Sequence, residues 1–150
     1  MTNDEFSKVE TFSKKIRRNI LDMAFFAGAS SSHFGGALSI VEIISVLFGK
    51  KMKINDDPQW QDRDRFILSK GHATAAFYSL LAHLGYIKFS ELNTYCKNNT
   101  RLATHLNSGV PGVEFDTGSL GHGLGIACGL AYSAKLDKKK YKVFCLLSDG

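Results

Sequence analysis

Between Val110 and Gly129 the chain reads VPGVEFDTGSLGHGLGIACG, with Gly118, Gly121, Gly123, Gly125 and Gly129 set around His122. Glycine at this density lets backbone N–H and C=O groups reach a flat or charged ligand with no Cβ in the way, the way many phosphate and cofactor loops are made. The plainer reading is a tight turn followed by a helix that needs small residues to pack closely on a sheet. No G-x-G-x-x-G can be placed here and no apolar strand runs straight into the cluster, so the dinucleotide-binding fingerprint is absent.

Other residues with chemistry fall at junctions. His33 sits in a loop of small residues, 29–36, at the mouth of a helix; His72 follows Ser69-Lys70-Gly71 where a short strand gives way to a helix; His105 lies in a long loop ahead of the glycine cluster; and Asp149-Gly150 follow an apolar strand. No H-x-H or H-E-x-x-H spacing supports a hydrolytic zinc site built from the histidines and Asp149.

The elements that must position these residues follow from periodicity. Thr2 and Glu5 have capping-box spacing, and Phe6, Val9, Phe12, Ile16, Ile20 and Met23 recur at near-helical intervals, which predicts an amphipathic helix to about Gly28. Ser39 and Glu42 repeat that spacing before a second apolar run, for which Gly49 is the expected stop. Phe66 to Leu68 is predicted as a buried strand, Ala73 to Leu84 as a helix closed by Gly85, Ser90 to Lys97 as a short helix, and Leu120 to Leu136 as a helix of small residues. Val143 to Leu147 is predicted as a fully buried strand. Alternating helices and strands imply an α/β fold with a parallel sheet flanked by helices, in which ligands gather beyond the carboxyl ends of the strands. The strands 66–68 and 143–147 both end in such residues, Lys70 and His72 on one and Asp149 on the other.

A hydrophobic content of 44%, a charged content of 22% and two prolines describe an ordinary globular chain, read here as one domain over residues 1–150. The net charge of +5 comes from lysines grouped at Lys8 to Lys15, Lys50 to Lys53 and Lys135 to Lys142, at element boundaries and without interleaved aromatics. Such solvated faces favour an anionic small molecule over nucleic acid. Three widely spaced cysteines, with Cys128 and Cys145 expected in the core, no leader pattern and no long apolar run predict a cytoplasmic protein with reduced thiols and no membrane span.

Four segments in order, Ser32-His33-Phe-Gly35-Gly-Ala, Arg63-Asp-Arg-Phe-Ile-Leu-Ser-Lys-Gly-His72, Pro111 to Gly123 and Leu147-Ser-Asp-Gly150, resemble the N-terminal thiamine-diphosphate-binding region of transketolases, most of all the N-terminal subunits of split enzymes. The resemblance implies the thiamine-diphosphate-binding fold, here its diphosphate-binding domain in incomplete form, and transfer of a two-carbon ketol unit from a ketose to an aldose with thiamine diphosphate and Mg²⁺. It implies that Asp149, with Gly150 beside it, holds the Mg²⁺ on the diphosphate; that His72 contacts the diphosphate; that His33 and His105 face the reacting carbon and the donor hydroxyls, making His33, His72 and His105 the catalytic histidines; and that Gly118, Ser119 and Leu120 meet the cofactor's aminopyrimidine. Mg²⁺ suits one or two carboxylates plus phosphate oxygens, and histidine suits proton movement near neutrality.

The chain departs from the family pattern at Phe34, commonly proline, at Ser148 in place of the first glycine of Gly-Asp-Gly, at His122, often glutamine, and at Thr104, often glycine. The family's second metal ligand, an asparagine, and its pyrimidine-activating glutamate have no counterpart in the chain, so the expectation is a fragment or split subunit working with a C-terminal transketolase subunit or domain in a homo- or hetero-oligomer such as a dimer. Sugar or sugar-phosphate substrates follow. Alternatives are an enzyme like 1-deoxyxylulose-phosphate synthase or dihydroxyacetone synthase, a non-catalytic assembly subunit, and a metal-dependent hydrolase.

Overall fold

The computed structural model describes residues 2–30 and 33–148; Ser32, Asp149 and Gly150, which belong to the motifs above, lie outside the described residues. The first helix, α1, runs Asn3–Ala27 behind the expected capping box: the Thr2 side chain accepts from the Glu5 N–H, and the Glu5 carboxylate accepts from the Thr2 N–H. Its buried residues Ser13, Ile16, Ile20, Met23 and Ala27 form a narrow stripe at alternating three- and four-residue steps, whereas Phe6 stays exposed. A 3-10 turn, Gly28–Ser30, leads toward α2, Phe34–Leu38.

The capping box expected at Ser39 and Glu42 does not form. Helix α3, Val41–Val46, is preceded by Ile40 with no side-chain cap. The Ser39 hydroxyl instead donates back to the Gly36 carbonyl at 2.8 Å, and Glu42 accepts a bidentate contact from Arg17 of α1, which binds the two helices together and holds the Glu42 carboxyl below its ordinary value. Gly49 does not stop the helix. A π turn carries it through Lys51, and Gly49 faces Phe12 and Val9 of α1, where a side chain would meet them at 3.7 and 3.9 Å.

Strand β1, Arg65–Leu68, lies parallel to β2, Val143–Leu146, in the register Arg65 with Val143 through Leu68 with Leu146. Parallel pairing requires a crossover, and the intervening chain supplies α4, Thr74–His83, a 3-10 turn at Phe89–Thr94 where a helix to Lys97 was predicted, a long irregular stretch, and α5, His122–Leu136. Every residue of α4 from Thr74 to Ala82 is buried, so this helix is apolar all round and forms the centre of the core, packed against α1, α2 and α3. Phe48, Phe66 and Phe77 join the π turn, β1 and α4 in one aromatic cluster with centroids 5.1 to 5.8 Å apart.

The amino ends of both strands are fixed by a buried carboxylate: Asp64 accepts from the N–H groups of Lys53 and Lys142 at 2.8 and 2.7 Å. Beside it the Arg63 guanidinium pairs with Glu114 and donates to the Pro58 carbonyl at 2.6 Å, pinning the loop that leads to the glycine cluster.

Two expectations on this side of the sheet are corrected. β2 is not fully buried: Val143, Phe144 and Cys145 are half-exposed and only Leu146 is buried, because within the described sheet β2 has one neighbour. Cys128 is exposed and Cys145 half-buried; burial pushes the Cys145 thiol up, with Cys128 nearby as a second cause. The reason lies in α5, which turns Gly123, Ala127 and Ala134 inward and leaves Leu124, Cys128, Tyr132 and Leu136, one residue per turn, outward.

Two glycines of α5 are predicted to respond oppositely to alanine. At Gly123 a Cβ would stand 2.5 Å from the Ser69 Cβ and 2.7 Å from its Cα, an overpacking expected to cost about 1–3 kcal/mol. At Gly125 it would meet nothing within 4 Å, and relief of glycine's entropy cost should stabilise by about 0.5–1 kcal/mol. Thermal melts of Gly123→Ala and Gly125→Ala should shift in opposite directions, by roughly 2–4 °C per kcal/mol.

Candidate active site

The sheet pairing does not stop at Leu68. The N–H groups of Ser69 and Lys70 both donate to the Leu146 carbonyl, at 2.9 and 3.2 Å, so the turn carrying His72 leaves the sheet hydrogen-bonded to the end of β2, where Leu147 and Ser148 also leave it. Gly71 then passes so close to the 117–118 peptide that a Cβ would lie 2.6 Å from the Gly118 nitrogen and 2.9 Å from its Cα; only glycine fits. A 3-10 turn, Gly71–Ala73, and the Thr74 hydroxyl donating to the Gly71 carbonyl at 2.5 Å set His72 two residues ahead of α4, in the turn that leads into it.

His105 is held from beneath by α4. The buried Tyr78 hydroxyl donates to the His105 carbonyl at 3.3 Å, and the His105 ring lies against Gly118, where a Cβ would approach its Cδ2 to 3.2 Å. His33 is exposed and forms the N-cap of α2 in the left-handed region, φ 70°, a conformation uncommon for residues other than glycine.

These placements bring three imidazoles from three segments together. Ring centroids of His33 and His72 are 4.6 Å apart, those of His72 and His105 4.8 Å, and those of His33 and His105 6.3 Å; the His72 ring meets each of the others edge to face. Burial holds the His105 imidazole below its ordinary pKa, and the neighbouring His72 and His33 push it the same way. Among the described residues no group of three or more His, Cys, Asp or Glu side chains could hold a metal ion.

Beside the imidazoles opens a cavity of about 510 Å³, lined by His72, His105, Phe115, Asp116, Thr117, Gly118, Ser119, His122, Gly123 and Ile126. Two buried polar atoms among these residues, His72 Nδ1 and Thr117 Oγ1, have no hydrogen-bond partner among the described residues, an arrangement that is costly unless a further group, a ligand or water completes it. The Ser108 N–H, donating at 2.6 Å, holds the Asp116 carboxyl below its ordinary value, so a charged carboxylate stands at the cavity.

The residues anticipated from sequence are distributed around this centre. His33, His72 and His105 converge, Gly118 and Ser119 line the cavity, and Leu120 lies just before α5, 47% exposed and outside the cavity lining. Asp149 and Gly150 fall outside the described residues, directly after Ser148. Sequence reasoning did not single out Phe115, Asp116, Thr117 or Ile126. Glycine density had marked their segment, but nothing in it told which side chains turn inward.

The electrostatics give a direct measurement. With its folded pKa depressed, His105 resists a proton that the unfolded chain accepts, so its contribution to stability is complete above the ordinary imidazole range and is lost as pH falls through that range to the depressed value. In an NMR titration the His105 ring should protonate below its ordinary value, and in His72→Ala, which removes one neighbouring imidazole and opens the site to water, that value should move up; an unmoved titration would contradict the coupling.

The chain matches the family model described as transketolase, thiamine diphosphate binding domain, over residues 10–144. It is 37% identical over 143 residues to one of the subunits of the apulose-4-phosphate transketolase of Phocaeicola vulgatus, covering 95% of this chain and 50% of that protein. It is 40% identical over 136 residues to human transketolase, covering 89% of this chain and 22% of that one. The solved structure of transketolase from Campylobacter jejuni superposes with a TM-score of 0.86 at 31% identity, covering 100% of this chain and 24% of that one. The chain thus spans half the length of the Phocaeicola relative and under a quarter of the full-length enzymes. With the parallel β1–β2 pair, its flanking helices and this match over nearly all of its length, the chain belongs to the transketolase N-terminal, thiamine-diphosphate-binding family.

Proposed function

We propose that the chain is the cofactor-binding part of a thiamine-diphosphate- and Mg²⁺-dependent ketol transferase acting on sugars or sugar phosphates, completed by a C-terminal transketolase subunit or domain in an oligomeric assembly. The observation that carries this reading is a pair of buried polar atoms, His72 Nδ1 and Thr117 Oγ1, without partners among the described residues and belonging to the lining of a glycine-rich cavity. A polar ligand carrying a flat ring fits such a site: the ring needs backbone access, which Gly118 and Gly123 allow, and an apolar wall, which Phe115 and Ile126 provide. Thiamine diphosphate, when bound, supplies an electron sink that lets a ketose carbon–carbon bond break and its two-carbon unit pass to an aldose.

In this reading each residue has a role of its own. His72 holds the diphosphate, its backbone set in the 3-10 turn that leads into α4. Gly118 and Ser119 offer backbone to the aminopyrimidine, with Leu120 beside them. Asp149 holds Mg²⁺ and Gly150 lets the chain close on the diphosphate; their place in the sequence, three and four residues after β2 ends at Leu146, supports this. His105, kept neutral by its surroundings, accepts and returns a proton on the donor sugar, and His33 orients the donor hydroxyls. The Phocaeicola relative is named as one subunit of its transketolase, which supports a split enzyme. No helix among the described residues is long and apolar enough to cross a membrane, and the three free thiols are consistent with the proposed cytoplasmic location.

The test is a titration with thiamine diphosphate, with and without Mg²⁺, on the chain alone and beside a candidate C-terminal partner, followed by a ketol-transfer assay of the pair. Saturable Mg²⁺-dependent binding and transfer are expected, with Asp149→Ala abolishing the Mg²⁺ dependence. His105→Ala should lower turnover far more than cofactor affinity. Absence of binding in both settings would overturn the reading in favour of an assembly role.

A further inference from the structure

Lys70 lies outside every role assigned above, yet it spans the two segments that carry His72 and His33. Its backbone is fixed at the edge of the sheet: the N–H donates to the Leu146 carbonyl at 3.2 Å and its own carbonyl accepts from the Ala73 N–H at 2.9 Å. Its half-buried side chain runs along Gly36, where a Cβ would meet Lys70 Cε at 3.6 Å, and its ammonium donates to the Ser39 hydroxyl at 2.9 Å. Ser39 in turn donates to the Gly36 carbonyl at 2.8 Å. The ammonium thus reaches the carboxyl end of α2 through one shared hydroxyl.

Helix α2 needs such a support. It has five residues, two of them glycine, no side-chain N-cap, and His33 at its N-cap with φ 70°. A helix of that length and composition does not persist by itself, and its left-handed first residue adds strain. Phe34, Ala37 and Leu38 hold this helix against the core, and the polar bonds at its carboxyl end fix its position there and with it the His33 ring, 4.6 Å from His72.

We propose that Lys70 is a positioning residue: through Ser39 it straps α2 to the strand-end turn and so holds His33 in register with His72 and His105. The consequence for turnover rests on the functional reading of His33 given above; the consequence for ring geometry does not.

The geometric arm uses the ligand-free protein. Ser39→Ala leaves net charge unchanged and removes both bonds of the strap, whereas Lys70→Met removes the ammonium and keeps the stem. In both, the His33–His72 NOE and the ring-current shift of the His33 resonances should be lost, with far-UV circular dichroism unchanged and the melting temperature within about 2 °C of the parent; the double variant should look like either single one. Lys70→Arg, which can still donate to Ser39, should restore the NOE. In the assembled enzyme the same two variants should lower kcat about tenfold or more while thiamine diphosphate affinity stays within about twofold. An intact NOE in Ser39→Ala and Lys70→Met overturns the strap whatever the activity. A lost NOE with unchanged kcat leaves the strap standing and removes His33 from the reaction.

Discussion

The site depends on one close approach, that of Gly71 to the Gly118 peptide. With no Cβ on Gly71, the turn leaving β1 settles directly on the chain that enters α5; a methyl there would stand 2.6 Å from a backbone nitrogen and force the two segments apart. Because His72 is the next residue and His105 packs on Gly118, the same contact sets the distance between those imidazoles. A second contact of the same kind, Gly123 over Ser69, fixes the start of α5 against the end of β1. The cavity is the space left when these backbones meet, so its shape is set by absent side chains as much as by present ones.

Clustering three imidazoles has an electrostatic consequence. Within 7 Å of one another, they cannot all carry charge without repulsion, and His105 is held toward the neutral form by burial first and then by its two neighbours. A neutral imidazole keeps one nitrogen as donor and one as acceptor. The Tyr78 hydroxyl on the His105 carbonyl adds rigidity without adding charge, since burial pushes that phenol well above its ordinary value and keeps it protonated.

What could be read from the chain alone divides along physical lines. Local signals were reliable: the Thr2–Glu5 capping box, the apolar spacing of α1, the β1 strand and the Gly85 stop of α4 all depend on neighbours a few residues away, and all appear. The histidine positions were legible because each sits at a junction of strand, loop and helix. Signals that depend on what lies across the fold were not. Ser39 and Glu42 have capping-box spacing, but Lys70 and Arg17 from distant segments claim their side chains. In the same way, the apolar run of α5 gives no sign that its small residues face the sheet while Cys128 and Leu124 face out, and a four-residue apolar strand reads as buried whether or not it has two neighbours.

Stiffness is graded across the site in a way that follows from packing. His72 is one residue from Ala73, with which an unbroken buried run extends to Ala82, so it is attached to the least deformable part of the molecule. His105 hangs from that same helix by one hydrogen bond at 3.3 Å. His33 stands on a helix of five residues whose single buried side chain is Ala37. Displacing His72 would require disturbing the core, whereas displacing His33 requires exchanging the polar contacts of α2 and loosening Phe34, Ala37 and Leu38 from the edge of that core. A group that grips a tightly held ligand is best served by the first kind of anchorage. A group that must admit, touch and release a series of substrates is best served by the last, and the roles proposed for His72, His105 and His33 follow this order of anchorage.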